Sequence, residues 1–243
     1  MKTKRNLIII QVLLYSIIAY IIAGAFVFPK ALNANNQDTV IYYIPHQDDE
    51  LLTFGASIVD DVEKDRNVVV VLMTDGSATN VGKELGLTPK EVTKYRNREF
   101  DNSLKQLGVK EKNVIKMNFK DGELTQEEVH QTIESFSGVY PHSVHKGHTY
   151  HDEHSDHQAV GLALKAIRDD QLIEDVRFYI RRGESVPEEM SIVSVSQEGY
   201  EKIKKASYYY REDEDKDIIG IGYKSVPGSF DRMLESPINF YHH

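Results

Sequence analysis

Two short stretches concentrate the residue types that could do chemistry. "PHQDDE" (Pro45–Glu50) sets His46, Asp48, Asp49 and Glu50 within five positions, and "HSDH" (His154–His157) sets two histidines around Asp156. A histidine and three acids between a strand and a helix start are costly to bury without a purpose. Helix capping accounts for one or two of them, since Asp48 or Asp49 can cap and acids suit the positive end of a helix dipole. It does not account for His46 together with both aspartates. Two histidines and an aspartate from separate loops suffice for a catalytic zinc, which takes three protein ligands and keeps one position for water. Such a site also needs a base and a donor for a developing oxyanion. Asp48 could be the base, and one histidine of "HSDH" the electrophilic partner. "HSDH" closes a longer run, "HSVHKGHTYHDEHSDH", with histidine at every third position from His142 to His157. Repeats at three drift around an α-helix by about 60° each, so no helical face collects them.

The elements that must position these residues follow from hydrophobic period. "TVIYYI" (Thr39–Ile44) and "NVVVVLM" (Asn67–Met73) are β-branched, continuously apolar runs of the kind buried inside a parallel sheet. Between them "DELLTFGASIVDDVEK" has a helical period, making a βαβ unit. Thr88, Pro89 and Gly108 mark the cap, first turn and stop of a second helix. "NVIKMNF" is a third strand. Thr125 and Glu128 form a capping box, "HQAVGLALKAIRDD" is a further amphipathic helix and "DVRFYI" a further strand. The expectation is a doubly wound, mostly parallel α/β sheet (Rossmann-like) with helices on both faces. Its core spans about 38–185, within a single domain over 35–243 whose C-terminal extension is 186–243. In such a sheet ligands bind at the carboxyl ends of strands, where "PHQDDE" lies. In the extension, "SQEGYEKIKKASYYYRE" reads as a helix, and His242 and His243 as exposed and idle.

The first 34 residues stand apart. Lys2, Lys4 and Arg5 precede an uncharged run from Asn6 to Pro29, the pattern of an export signal or an N-terminal membrane anchor. Either way the body is expected outside the cytoplasm, with membrane contact only through this segment. The chain has no cysteine, hence no disulfide, which fits a bacterial envelope. Four of the 29 basic residues and none of the 38 acidic ones lie in residues 1–30, leaving 25 against 38 in the body, a net of −13. That balance argues against nucleic acid and other polyanions as partners.

"PHQDDE" after a strand, with "HSDHQAVG" about a hundred residues later, resembles the PIG-L/LmbE-like family of metal-dependent N-acetylglucosaminyl deacetylases. The "TDG" turn (Thr74–Gly76), an Arg-x-x-Glu helix (Arg96, Glu99) ending in Leu107–Gly108, and His148 six residues before His154 also match. The resemblance covers about 38–175. It implies His46, Asp49 and His157 as metal ligands and Asp48 as general base on the attacking water. It implies His154 as oxyanion stabiliser or acid, Asp156 as the partner orienting His154, and Arg96 as a substrate contact. It further implies zinc, or another divalent ion such as Fe2+, and an N-acetylated amino-sugar substrate. The chain departs from the family at Ser155, where proline is frequent, and in its export segment, which points to an envelope or extracellular glycan. Two other readings compete: an extracellular zinc scavenger working through the histidine run, and a non-haem iron oxygenase with two histidines and a carboxylate. The first predicts several ions per chain where the deacetylase predicts one.

Overall fold

The computed structural model describes residues 38–213 and 218–243; the export segment expected over residues 1–34 lies outside them. Thr39–Ile44 forms β1, buried along its whole length, and Asn67–Thr74 forms β2. Strands β3 (Val114–Phe119), β4 (Val144–His148), β5 (Asp175–Ile180), β6 (Ser191–Val193) and β7 (Asn239–His242) complete a seven-stranded sheet in the order β3-β2-β1-β4-β5-β7-β6. The first five are parallel. Strand β7 is antiparallel to both β5 and β6. The chain leaves β1 towards β2 and β3, then returns to β4 on the other side of β1. Strand order therefore reverses at β1, and the crevice beyond the carboxyl ends of β1 and β4 is where such a sheet takes ligands.

Helices cover both faces because successive β1 side chains point to opposite sides. Val40, Tyr42 and Ile44 join Ile58 and Val59 of α2 (Gly55–Glu63), Phe100 and Leu104 of α4 (Pro89–Leu107) and Ile203 of α7 (Gln197–Tyr208) in one apolar cluster. On the other face Tyr43 meets Phe136 of α5 (Gln126–Val139) edge-on, with ring centroids 6.3 Å apart. Capping boxes at Thr88/Glu91 and Thr125/Glu128 start α4 and α5, and Gly108 ends α4 in the left-handed region, at φ 93°. The helix expected to run unbroken from Asp49 instead divides into α1 (Asp49–Leu52) and α2. The break turns Phe54 inward, where it is fully buried and packs edge-on to Tyr42 and His148.

The histidine run does not act as a unit. Its first half is β4, where residues three apart face opposite sides of the sheet. His145 hydrogen-bonds the Tyr43 hydroxyl at 3.1 Å and Ser143 at 3.0 Å, away from the site. Lys146, buried on the opposite face, donates to Asp61 at 2.6 Å, Ser57 at 2.9 Å and Tyr42 at 3.1 Å. The second half is a turn followed by α6 (Ser155–Asp169). A Cβ on Gly161 of α6 would lie 2.4 Å from the backbone nitrogen of Tyr150, so the turn and the helix meet backbone to backbone.

The extension holds the expected helix, as α7, but also β6 and β7. His242, expected to be idle, is buried: its ring hydrogen-bonds Thr149 at 2.9 Å and stacks on Phe178 at 5.1 Å. Asn239 accepts a hydrogen bond from the Ser57 backbone at 2.9 Å. Both polar groups can be buried because each finds a hydrogen-bond partner, Asn239 on α2 and His242 just beyond β4.

Candidate active site

Beyond Ile44 the chain must turn sharply to start α1, and Asp48 takes the strain, with φ at 119°. That conformation costs a non-glycine residue on the order of 1–3 kcal/mol. It is held from two sides. The Asp48 backbone N–H donates to Glu50 at 2.9 Å, and Glu50 in turn accepts from Ser103 and Tyr210. Arg96, buried on α4, reaches across to the Gln47 carbonyl at 2.5 Å, the Gly76 carbonyl at 3.0 Å and the Asp48 carboxylate at 3.3 Å. Expected as a substrate contact, Arg96 commits these donors to the protein, while its Nε has no partner. Burial raises Asp48 to a pKa of about 6 against the opposing charge of Arg96.

Three donor atoms converge beside Asp48. His46 Nδ1 lies 3.1 Å from His157 Nε2 and 3.3 Å from Asp49 Oδ2, and His157 Nε2 lies 3.2 Å from Asp49 Oδ2. The far nitrogen of each ring is claimed by carboxylates. His157 Nδ1 meets Asp152 at 3.0 Å, and His46 Nε2 meets Asp156 at 3.0 Å and Asp121 at 3.2 Å. An N–H placed on the carboxylate side of each ring leaves both inner nitrogens as lone pairs, facing each other and a carboxylate oxygen. Such a cluster repels itself unless a proton or a metal cation sits among the three. Its edges come close to a metal site's: ligands about 2.0–2.2 Å from a tetrahedral zinc are about 3.3–3.6 Å apart, so an ion would spread the three atoms by a few tenths of an ångström. Two imidazoles and a carboxylate, each ring held by an outer carboxylate, form a donor set suited to a divalent ion. Burial disfavours the charged form of His46, but Asp121, Asp156 and Asp49 outweigh it and raise its pKa.

Asp156 differs from expectation. Its carboxylate holds His46 and accepts the Gly122 and Leu124 backbone N–H groups at 2.8 and 3.3 Å, so it does not orient the His154 ring. The reason is helical geometry: Asp156, in the first turn of α6, points into the protein, while His154 caps the helix from outside. The one contact between them is the Asp156 backbone N–H donating to His154 Nδ1 at 3.3 Å. His154 itself is exposed on the cleft, with its ring centroid 4.6 Å from His157 and 4.7 Å from His46. Burial and the neighbouring His157 and His46 lower its pKa.

Asp121, Asp152 and Arg181 were not anticipated. Asp121 follows β3 by two residues, so a third strand end feeds the site. Burial works against its ionised form, yet His46 holds its pKa down to about 2. Asp152 is fixed by Arg181 at 2.9 Å. His148, fully buried, stacks on His157 at 3.8 Å with neither ring nitrogen hydrogen-bonded. His151 pairs with Glu188 at 2.9 Å, and His142 is exposed. The whole arrangement opens on a cleft of about 410 Å³ whose outer wall includes Arg181, Arg182, Ser229 and Arg232.

The model of the PIG-L family, described as GlcNAc-PI de-N-acetylase, matches residues 41–167. No curated protein matches the chain in sequence. Among solved structures, a deacetylase of the teicoplanin biosynthetic pathway, a triple mutant, aligns with a TM-score of 0.64 and 20% identity, over 84% of this chain and 96% of that one. The N,N'-diacetylchitobiose deacetylase from Pyrococcus horikoshii, bound to an inhibitor, gives 0.61 and 17%, over 87% and 86%. A zinc-inhibited form of teicoplanin deacetylase gives 0.59 and 16%, over 84% and 97%.

Proposed function

Because the chain belongs to the PIG-L family of de-N-acetylases, we propose that it removes the acetyl group from an N-acetylglucosamine-type residue of an envelope or extracellular glycan. The observation that carries this reading is the triangle of nitrogen and oxygen atoms from His46, Asp49 and His157 set beside a strained, buried Asp48. The uncharged run behind Lys2, Lys4 and Arg5 supports export, and export favours a glycan over a cytoplasmic metabolite. A divalent cation held by the triangle would supply Lewis acidity, polarising the amide carbonyl and acidifying a water.

The remaining steps belong to the chain's own groups. Asp48 accepts a proton from the attacking water as its oxygen bonds to the amide carbon. A pKa near 6 leaves Asp48 ionised at neutral pH yet basic enough to hold that proton. His154 accepts the Asp156 N–H at Nδ1, so its neutral ring carries its proton on Nε2. That N–H is a donor for the carbonyl oxygen as negative charge builds on it. The C–N bond then breaks as the proton held by Asp48 passes to nitrogen, releasing a free amine and acetate. Arg96 keeps the Asp48 turn in place throughout.

The ion is proposed as zinc, the usual partner of a His2Asp set, with iron as the alternative. Elemental analysis of protein purified without added metal should find one ion per chain; several would favour the scavenger. Amine and acetate release from chitooligosaccharides, peptidoglycan fragments and glucosamine polymers tests the substrate. Release from none of them would overturn the amino-sugar assignment.

A further inference from the structure

Resting on the deacetylase reading, we infer that Arg182 and Arg232 form an anion subsite at the mouth of the cleft, so that the preferred amino-sugar substrate carries a carboxylate or phosphate beside the acetamide. The charges lining the cleft are otherwise balanced. Arg96 faces Asp48, Asp49 lies between His46 and His157, and Asp121 meets His46. Arg181 is shared between Asp152 and Glu184. Among the described residues, Arg182 and Arg232 are the two lining arginines with no carboxylate in ion-pair contact.

Of the two, Arg182 is the anchored one and Arg232 the adaptable one. Arg182 follows β5 at its ligand-binding end, and its Nη2 is docked on the Ser236 and Ile238 carbonyls. Its Nε and Nη1 bond no described residue. Arg232, in the last turn of α9 (Pro227–Glu235), is exposed, and among the described residues it hydrogen-bonds the Ser229 hydroxyl alone, at 3.3 Å. The two are close enough that the charge of Arg232, after burial, depresses the pKa of Arg182, and Glu235 offsets this only in part. Both nonetheless stay charged, since a guanidinium does not deprotonate in proteins. A chain of net charge −9 thus keeps two mutually repelling cations on the wall of its catalytic cleft, with Glu235 near but outside ion-pair contact. An oxyanion with two or more acceptor oxygens relieves that repulsion and suits paired guanidinium forks.

The test compares a neutral N-acetylglucosamine oligomer with the same oligomer bearing one lactyl carboxylate, or one phosphate monoester. Wild-type enzyme should favour an anionic oligomer in kcat/KM by about tenfold or more, the size expected of a charge-assisted hydrogen bond. Whichever anionic arm shows the gain identifies the group. Arg232→Gln, which removes no backbone contact, should erase the preference while leaving the neutral rate within about twofold. Equal wild-type rates on neutral and anionic oligomers, or an equal loss on both in Arg232→Gln, would overturn the subsite. Calorimetric binding of the same oligomers separates the two readings. Anion-selective binding without turnover fails the deacetylase reading alone, and turnover without anion-selective binding fails the subsite alone.

Discussion

Replacing Asp156 by asparagine exchanges one oxygen for an NH2 group at a carboxylate that serves three donors. One oxygen takes His46 Nε2 at 3.0 Å and the Gly122 N–H at 2.8 Å, and the other takes the Leu124 N–H at 3.3 Å. With its NH2 towards His46, the asparagine opposes two donors with two more. Turned the other way, it opposes the Leu124 N–H and still holds His46 without a negative charge. Either way a buried donor loses its acceptor, at about 1–3 kcal/mol. Because Asp156 reaches the ligand triangle through His46, the loss should appear as metal affinity weakened about 10–100-fold, the usual cost of removing a carboxylate behind a ligating histidine. The assay is competition for metal against a chelator of known affinity, alongside kcat at saturating metal. The expectation is the weaker affinity with kcat within about fivefold of wild type. An unchanged affinity with a collapsed kcat would refute the geometry and restore Asp156 as the partner of His154.

Asp48→Asn keeps the turn's shape but removes the proton acceptor, so kcat should fall by about 10²–10⁴ with metal content unchanged; retained turnover would remove Asp48 from its role. Gly161→Ala sets a methyl 2.4 Å from the Tyr150 nitrogen and should destabilise the protein by about 1–3 kcal/mol, read as a lowered urea midpoint. Lys146→Met leaves Asp61 with one cation, Arg66 at 3.0 Å, in place of two. Asp61 keeps Arg66 and the Tyr42 hydroxyl, so the loss should be about 1–3 kcal/mol in equilibrium unfolding, and no measurable loss would show that the pair is dispensable.

Where hydrophobic period was unambiguous, the sequence was a good guide. β1, β2 and α4 announce themselves through unbroken β-branched runs and a cap, proline and glycine in order. His46, Asp49 and His157 were singled out by the resemblance of "PHQDDE" and "HSDH" to a family's motifs, and the fold brings their donor atoms together. Strand β4 was not, since "VHKGH" has no apolar alternation; the burial of its polar side chains depends on Asp61 and Tyr43, which are far away in sequence. Asp121 and Asp152 were missed for a related reason. A lone acid in a polar loop looks solvated until the sheet brings His46 or His157 against it. The misassigned partner of Asp156 shows the same limit at short range, because adjacency in "HSDH" says nothing about which side of the helix start each residue faces.

The closeness of His46 and His157 has a consequence for chain entropy. Their nitrogens meet across 111 residues of intervening sequence, in a chain that has no cysteine. An ion bound to both ties off a loop for which a covalent cross-link would be worth roughly 4–5 kcal/mol through restriction of the unfolded ensemble. The group that equips the site for hydrolysis would therefore also brace the sheet at its central strand, so that losing the ion would loosen the fold along with removing the activity.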